Sequence, residues 1–152
     1  MKKLFSTCIA IMSFSVLMAQ SVTSQEVPYS IKTSFQKEFK NTTVQWTTSL
    51  EYYVATWDSN NKHKVAYYAK TNEATLVRTE TDVPLTELTE ATQNTITTRF
   101  MAQGSTYTFV RAFKIENFEL SSEGCEMNMG NNNTIRLYFD ATGTLVKREL
   151  NR

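Results

Sequence analysis

The residue types that usually carry catalysis or bind metals are scarce in this sequence. Its 152 residues include one histidine, two cysteines, two prolines and four glycines. The glycines are scattered, so no glycine-rich loop of the kind that cradles phosphate can be formed. A zinc site needs several His or Cys ligands at short spacings, and no such group occurs. We therefore expect no cofactor, no metal and no catalytic residue.

Two hydrolytic alternatives would use the few candidate groups. A cysteine hydrolase would need His63 as the base for Cys125, but nothing in the sequence brings the two together. A glycosidase would need a pair of carboxylates such as Glu116 and Glu119, although charges of this kind usually lie solvated on strand surfaces. We expect the chain not to be an enzyme, and His63 to be an exposed turn residue.

An excess of charge of one sign is also missing. The sequence has 16 Lys and Arg residues against 15 Asp and Glu residues, which gives a formal net charge of +1 at pH 7. A balanced surface lacks the basic patch that binds nucleic acid or anionic membranes. We therefore expect no nucleic-acid partner.

The N-terminus has the features of a secretory signal peptide. Two lysines precede an uncharged apolar stretch at residues 4–18, and Ala19 offers a small residue for cleavage. The stretch is shorter than the roughly 20 apolar residues of a membrane span, so an uncleaved anchor is the weaker alternative. We expect residues 1–19 to be removed, residues 20–26 to form a flexible leader, and the mature protein to be periplasmic or secreted without stable membrane insertion.

Cleavage would leave Cys125 as the single cysteine, which excludes an intrachain disulfide. Cys125, Met127 and Met129 alternate with polar residues, as on one face of a strand. This pattern favours a buried thiol. The alternative is an accessible thiol that pairs two chains.

The sequence does contain an internal repeat. Residues 65–78 resemble residues 135–147, and a Val-Pro pair at 27–28 or 83–84 opens a helical pattern upstream of each copy. Neither copy is large enough to bury its apolar face well alone. We therefore predict that residues 27–152 form a single domain of two tandem units, 27–82 and 83–152.

Each unit reads as a helix followed by strands. Ile31, Phe35 and Phe39 recur every four residues and predict a short amphipathic helix capped by Ser30, after which residues 44–79 alternate as about four strands. The second unit predicts a longer helix from Leu85 to Phe100, capped by Asp82 or Thr86. Five strands should follow it, at residues 107–113, 115–120, 125–129, 134–139 and 144–150.

One helix against an antiparallel sheet leaves the other face of that sheet uncovered. Two such units joined edge to edge would form one twisted α+β sheet with both helices on one face. Because successive strand residues point to opposite faces, one member of each aromatic pair must face away from the helices, and the pattern leaves open which one. Outward aromatics either pack across strands or form a recognition surface. The candidate partner-binding residues are Tyr53, Trp57, Tyr68 and Tyr138.

These patterns resemble the PepSY-like family, secreted proteins of Gram-negative bacteria that are also described as similar to β-lactamase inhibitor proteins. The residues that carry the resemblance are Pro28, Ile31, Phe35, Phe39, Trp46, Tyr53, Trp57, residues 67–77, and the hairpin 137–140 with Gly143 and Leu145. The resemblance implies tandem helix-plus-sheet units and a periplasmic or surface location, and it transfers no catalytic residue. Two features depart from the family. Lys40-Asn41 stands where a proline commonly ends the first helix, and Asn72-Glu73 forms the turn of the first unit, where a glycine is usual.

The resulting hypothesis is a secreted, non-enzymatic binding module that uses the open sheet face and the loops 58–62 and 121–133. Its partner would be an envelope protein, including a secreted enzyme, or a peptide or glycan. Inhibition is not implied, because interface loops vary freely on a shared scaffold. The alternative is a structural or assembly component of the envelope, joined through strand edges or through Cys125.

Overall fold

The computed structural model describes residues 26–40, 42–71, 73–130 and 133–151. The predicted signal peptide and nearly all of the predicted leader lie outside these residues. Among the described helices, none is both long enough and apolar enough to cross a membrane.

Eight antiparallel strands form one open sheet in which each strand pairs with its neighbours in sequence. Helix α1 (Tyr29–Glu38) precedes β1, and a 3₁₀ turn (Leu85–Glu87) and helix α2 (Glu90–Arg99) lie between β4 and β5. The predicted α+β class is confirmed. The strands are β1 (Gln45–Thr48), β2 (Tyr52–Ser59), β3 (Lys62–Ala69), β4 (Leu76–Val83), β5 (Thr108–Glu116), β6 (Glu123–Asn128), β7 (Thr134–Phe139) and β8 (Leu145–Asn151).

Helix α1 covers the first strands through an aromatic core. Its buried residues Ile31 and Phe35 are one turn apart and share a face. Phe35 meets Trp57 of β2 edge to face, with ring centroids 5.1 Å apart. The core also contains Val27, Trp46, Ala55, Ala66 and Tyr68, with Phe39 and Tyr53 packed against it.

Helix α2 is anchored at its start by a carboxylate from the sheet. Only Thr92 and Ile96 of the helix are buried. At its start, the buried carboxylate of Glu123 accepts hydrogen bonds from the backbone N–H of Thr89 at 2.9 Å and from its hydroxyl at 2.9 Å. The residues it covers include Ala112, Cys125, Met127, Ile135, Leu137 and Phe139. A charged strand residue therefore fixes where this threonine-rich helix begins.

Both helices lie on the same face of the sheet. Ala66 belongs to the core under α1 and pairs with Thr79 of β4. Val83 belongs to the core under α2 and lies four residues beyond Thr79 on the same strand. Since alternate strand residues share a face, the two cores are on one side. We call the opposite side, which carries neither helix, the open face.

The predicted elements differ from the structure at three places. Strand β5 runs unbroken to Glu116, where two strands were expected, and Asn117 with its φ of 61° then starts the turn. The long predicted second helix is a 3₁₀ turn followed by α2, whose N-cap is Thr89 rather than Asp82 or Thr86. Helix α1 begins one residue before Ser30, which therefore lies within the helix and is not its cap. That the two halves are copies of one unit stays a prediction.

The core position of Trp57 leads to a stability prediction. We expect Trp57→Ala to lower the free energy of unfolding by about 3–5 kcal/mol, because the substitution leaves a cavity under α1. Urea unfolding of the mature protein would measure this. Leu50→Ala is the control, since Leu50 is 94% exposed and its loss should change stability by less than about 0.5 kcal/mol. Equal stability of the two variants would contradict the placement of Trp57.

Candidate functional site

The open face carries a connected group of charged and tyrosine side chains, which we call the charge network. Arg78, Glu80 and Asp82 alternate along β4 on this face, opposite the helix-side residues Thr79 and Val83. Four basic residues meet four acidic residues across the strands, so the network is electrically balanced. Its members are Tyr67, Arg78, Glu80, Asp82, Arg111, Glu126, Arg136, Tyr138, Lys147 and Glu149.

Glu80 lies at the centre of the charge network and is fully buried. Its carboxylate accepts hydrogen bonds from Nε of Arg78 at 3.1 Å and from Nη2 of Arg111 at 3.1 Å. The hydroxyl of Tyr67 donates to the same carboxylate at 3.2 Å. Three donors from three adjacent strands thus compensate a charge that would be very costly to bury alone.

Arg78 connects this centre to the last two strands. Its side chain is 1% exposed, and its Nη2 donates to the hydroxyl of Tyr138 at 2.9 Å and to Oε2 of Glu149 at 3.1 Å. The guanidinium also stacks on Tyr67, with Cζ 3.9 Å from the ring centroid. Arginine suits this position because its planar group can donate at its edge and stack on its face at once.

The other half of the network is built around Glu126. Oε2 of Glu126 accepts from Nε of Arg111 at 3.2 Å and from Nε of Arg136 at 3.1 Å. Arg111 additionally contacts the carboxylate of Asp82, and Arg136 contacts the hydroxyl of Tyr67. These groups are partly exposed, so the network is buried at its centre and reaches solvent at its rim.

The tyrosines of the network are donors at neutral pH. Burial, with the neighbouring charge of Glu80, raises the pKa of Tyr67 to about 12. The same two causes raise the pKa of Tyr138 above its ordinary value. Both phenols therefore stay protonated and hold fixed hydrogen bonds. The arrangement is suited to presenting a rigid surface.

A small apolar cluster borders the network on the open face. It consists of Phe113, Ile115 and Tyr138, with Phe118 from the β5–β6 turn packed against them. Gly124 makes room for it, because a Cβ at that position would lie 2.5 Å from the Phe113 ring. The open face thus combines paired charges with aromatic side chains.

The structure separates the four predicted partner-binding residues. Tyr53 and Tyr68 pair across β2 and β3, and both pack with Trp57 in the core under α1. All three residues face the helices, so their interpretation as outward-facing residues is corrected. Tyr138 lies on the open face, but other side chains bury it. Tyr52, which precedes Tyr53, and Tyr67, which precedes Tyr68, are the tyrosines of these pairs that face away from the helices.

The predicted loops have different outcomes. Asn60 and Asn61 adopt positive φ angles of 53° and 58° in the β2–β3 turn, beside an exposed His63 whose Nδ1 is 3.0 Å from Asp58. Strand β6, which spans Glu123–Asn128, occupies the middle of the predicted loop 121–133. Sequence reasoning missed Arg78 and Glu80, although their alternation in a run of strand-forming residues was a usable signal.

The candidate catalytic and metal groups are not brought together. Cys125 is fully buried in the core under α2, whereas His63 lies exposed at a turn. Burial raises the pKa of the Cys125 thiol to about 12. Within the described ranges, no group of three or more His, Cys, Asp or Glu residues could hold a metal ion.

Comparison with known proteins supports the fold. No protein-family model and no curated protein matches the chain. Solved structures from Bacteroides are similar. A DUF2874 family protein from B. ovatus is 20% identical with a TM-score of 0.60, and the match covers 81% of this chain and 86% of that one. A BLIP-like protein from B. fragilis is 18% identical with a TM-score of 0.54 and coverage of 81% and 85%, and a putative periplasmic protein from B. eggerthii is 18% identical with a TM-score of 0.62 and coverage of 82% and 88%. The resemblance noted from the sequence is thus supported as a BLIP-like fold, and PepSY-like membership stays a prediction.

Removing the central charge should be costly. We expect Glu80→Gln to lower the free energy of unfolding by about 3–5 kcal/mol, because Arg78 would remain buried with less compensating charge. Chemical denaturation would measure the loss. Glu116→Gln, at an exposed position on β5, should be nearly neutral. A neutral Glu80→Gln variant would show that the network does not depend on this carboxylate.

The free energy of unfolding should also depend on pH through Glu149. Burial alone would raise the pKa of Glu149, but hydrogen bonds from Lys147 and Tyr138 and the charge of Arg78 outweigh it and hold the pKa below its ordinary value of 4.5. A lowered folded-state pKa stabilises the protein above that ordinary value, and the contribution is lost as pH falls through the folded-state pKa. Urea midpoints measured from about pH 6 to about pH 3 should fall less steeply for Glu149→Gln than for the parent. Identical slopes would contradict this role.

Proposed function

We propose that this chain is a non-enzymatic binding protein of the cell envelope and that the open face of its sheet is its interaction surface. The observation that carries the proposal is the charge network, in which buried Glu80 and Arg78 fix a set of arginines and tyrosines on a face that neither helix covers. The BLIP-like and periplasmic proteins that share the fold support the same class of function.

Stability alone is a weak explanation for such a network. Replacing a buried ion pair by apolar residues of similar size is often neutral or stabilising. The network does fix side-chain positions, and an interface made of fixed side chains loses less conformational entropy on binding. Arginine and tyrosine are also the residue types that most often dominate interface energetics. These arguments favour recognition as the reason for the network.

The charge balance indicates the type of partner. Each acidic residue at the rim, such as Asp82 or Glu126, already pairs with an arginine, so the face has no surplus of either sign. A mixed protein or peptide surface suits it better than a polyanion. We therefore propose a protein or peptide of the envelope, including a secreted enzyme, with a glycan as the alternative and no nucleic acid.

The location and the repeat belong to the same proposal. Residues 1–19 would direct the chain out of the cytoplasm and be cleaved after Ala19, which leaves a periplasmic or secreted protein. The order of one helix and four strands, which occurs twice, supports an origin from two tandem units. Intact-mass measurement of the protein purified from the cell envelope would test the cleavage.

Adjacent tyrosines give a matched test of the interaction surface. Tyr52 and Tyr53 are both half-buried, but Tyr52 faces the open side, where it contacts Tyr67, while Tyr53 packs under α1. We expect Tyr52→Ala to abolish capture of a partner from envelope extract by the mature protein. Tyr53→Ala should leave capture intact, even if it lowers the melting temperature. Loss of capture with Tyr53→Ala alone would contradict the proposed surface.

An assembly component is the second candidate, and the outer edge of the sheet favours it. Strand β8 pairs on one side only and exposes Val146 and Leu150. Pairing of two such edges would join copies of the chain. Light scattering over a concentration series would show oligomers in that case, and a strictly monomeric protein would contradict it.

Assembly through an intermolecular disulfide at Cys125 has its own test. Because Cys125 is buried and its thiol pKa is raised to about 12, we expect the mature folded protein to react very slowly with a thiol reagent. The same protein should react fully once unfolded. Rapid labelling of the folded protein, or a dimer that only reducing agent dissolves, would contradict the buried position.

A further inference from the structure

One end of the sheet contains a gap where strand β4 stops early. Strands β4 and β5 pair only as far as Val83 and Ala112, and β4 is then followed by Pro84. Strand β5 continues through residues 108–111, of which Thr108, Phe109 and Arg111 pair with β6 on their other side. We call this opening the strand gap. Its β5 side presents a strand edge that β4 does not cover.

The strand gap lies beyond the end of β3 as well as of β4. Lys64 of β3 pairs with Thr81, so Lys62, the first residue of β3, lies level with Val83, the last residue of β4. The β2–β3 turn bounds the gap on one side and β5 bounds it on the other. The cleft between them has a volume of about 500 Å³. The edge of β5 that β4 leaves uncovered would offer its backbone groups to an extended segment.

The gap is closed on the helix side and continuous with the open face. Leu85 packs against the core under α2, so the segment after Pro84 leaves the sheet plane towards the helices. Asp82 and Arg111, which belong to the charge network, line the other side. A chain lying in the gap would therefore border the proposed interaction surface.

The lining favours an extended segment without strong charge. Lys62 and Glu87, which line the gap, form an ion pair with 3.1 Å between Nζ and Oε2, and Asp82 pairs with Arg111. Charges are therefore balanced. Val110 is the extra residue of a β-bulge in β5 and is 49% exposed, which leaves an apolar contact beside the uncovered edge.

We propose that the strand gap binds an extended segment of a partner protein or peptide, which pairs with residues 108–111 of β5 and continues the line of β4. This inference rests on the proposed binding function and specifies the form of the partner. Strand addition of this kind gains affinity from main-chain hydrogen bonds and specificity from alternate side chains. Segments of three or four residues with β-branched or aromatic side chains and no proline should be selected.

The test uses a phage-displayed library of random peptides, selected against the mature protein. Enriched peptides are then synthesised, and their affinity for the parent and for variants is measured. We expect Val110→Glu and Val110→Lys each to weaken binding by about tenfold or more. Opposite effects of the two variants would show simple charge attraction and overturn the inference. In the parent, bound peptide should slow hydrogen exchange of the amides of residues 108–111.

Val146 offers a closely matched control. It is also an exposed valine at a β-bulge, but it lies on the outer edge strand β8. Val146→Glu should leave peptide affinity unchanged, and loss of binding with it would move the site to the outer edge and overturn the inference. A selection that enriches no peptide would also overturn it. Capture of an envelope partner that depends on Tyr52 would, in that case, leave the proposed function standing.

Discussion

The carboxylate of Glu80 is the group on which the open face depends. It is buried on a face that neither helix covers, and it accepts hydrogen bonds from Arg78 of its own strand and from Tyr67 and Arg111 of the strands on its two sides. Through Arg78 the same set reaches Glu149 on the last strand. An open sheet must prevent its uncovered face from exposing apolar area, and here paired charges with aromatic rings cover it. The face is thereby fixed in one arrangement, which would lower the entropy cost of the proposed binding.

The sequence was sufficient for the element types because periodicity reports burial directly. The four-residue spacing of Ile31 and Phe35 and the two-residue alternation of the strands predicted a helix and a sheet, and the structure has both. It was insufficient for the choice of face. Tyr52 and Tyr53 differ only by strand register, and a shift of one residue exchanges every side chain between core and surface. Register depends on pairing across strands, which a local pattern does not contain.

The charge network escaped prediction for a related reason. The pair Arg78 and Glu80 is far in sequence from Arg111 and from Glu126, and each residue alone resembles a solvated charge on a strand. They become a site only because β4, β5 and β6 are adjacent and in a register that places Asp82 beside Phe113 and Arg111 beside Glu126. The missed continuity of β5 has the same cause: Lys114, where a break was predicted, pairs with Thr81 of β4 and with Glu123 of β6.

The charge network and the strand gap share side chains, so binding at the gap would affect contacts in the network. Pro84 has no N–H to offer a strand ladder and follows the last residue of β4, so the sheet opens directly beside Asp82. Asp82 pairs with Arg111, and Arg111 also donates to Glu80 at the centre. A chain added in the gap would remove solvent from the Asp82–Arg111 pair, which lessens screening and also costs desolvation of both charges. Binding at the gap would thus act on the same contacts that hold the open face, so the two proposed surfaces would form one interface.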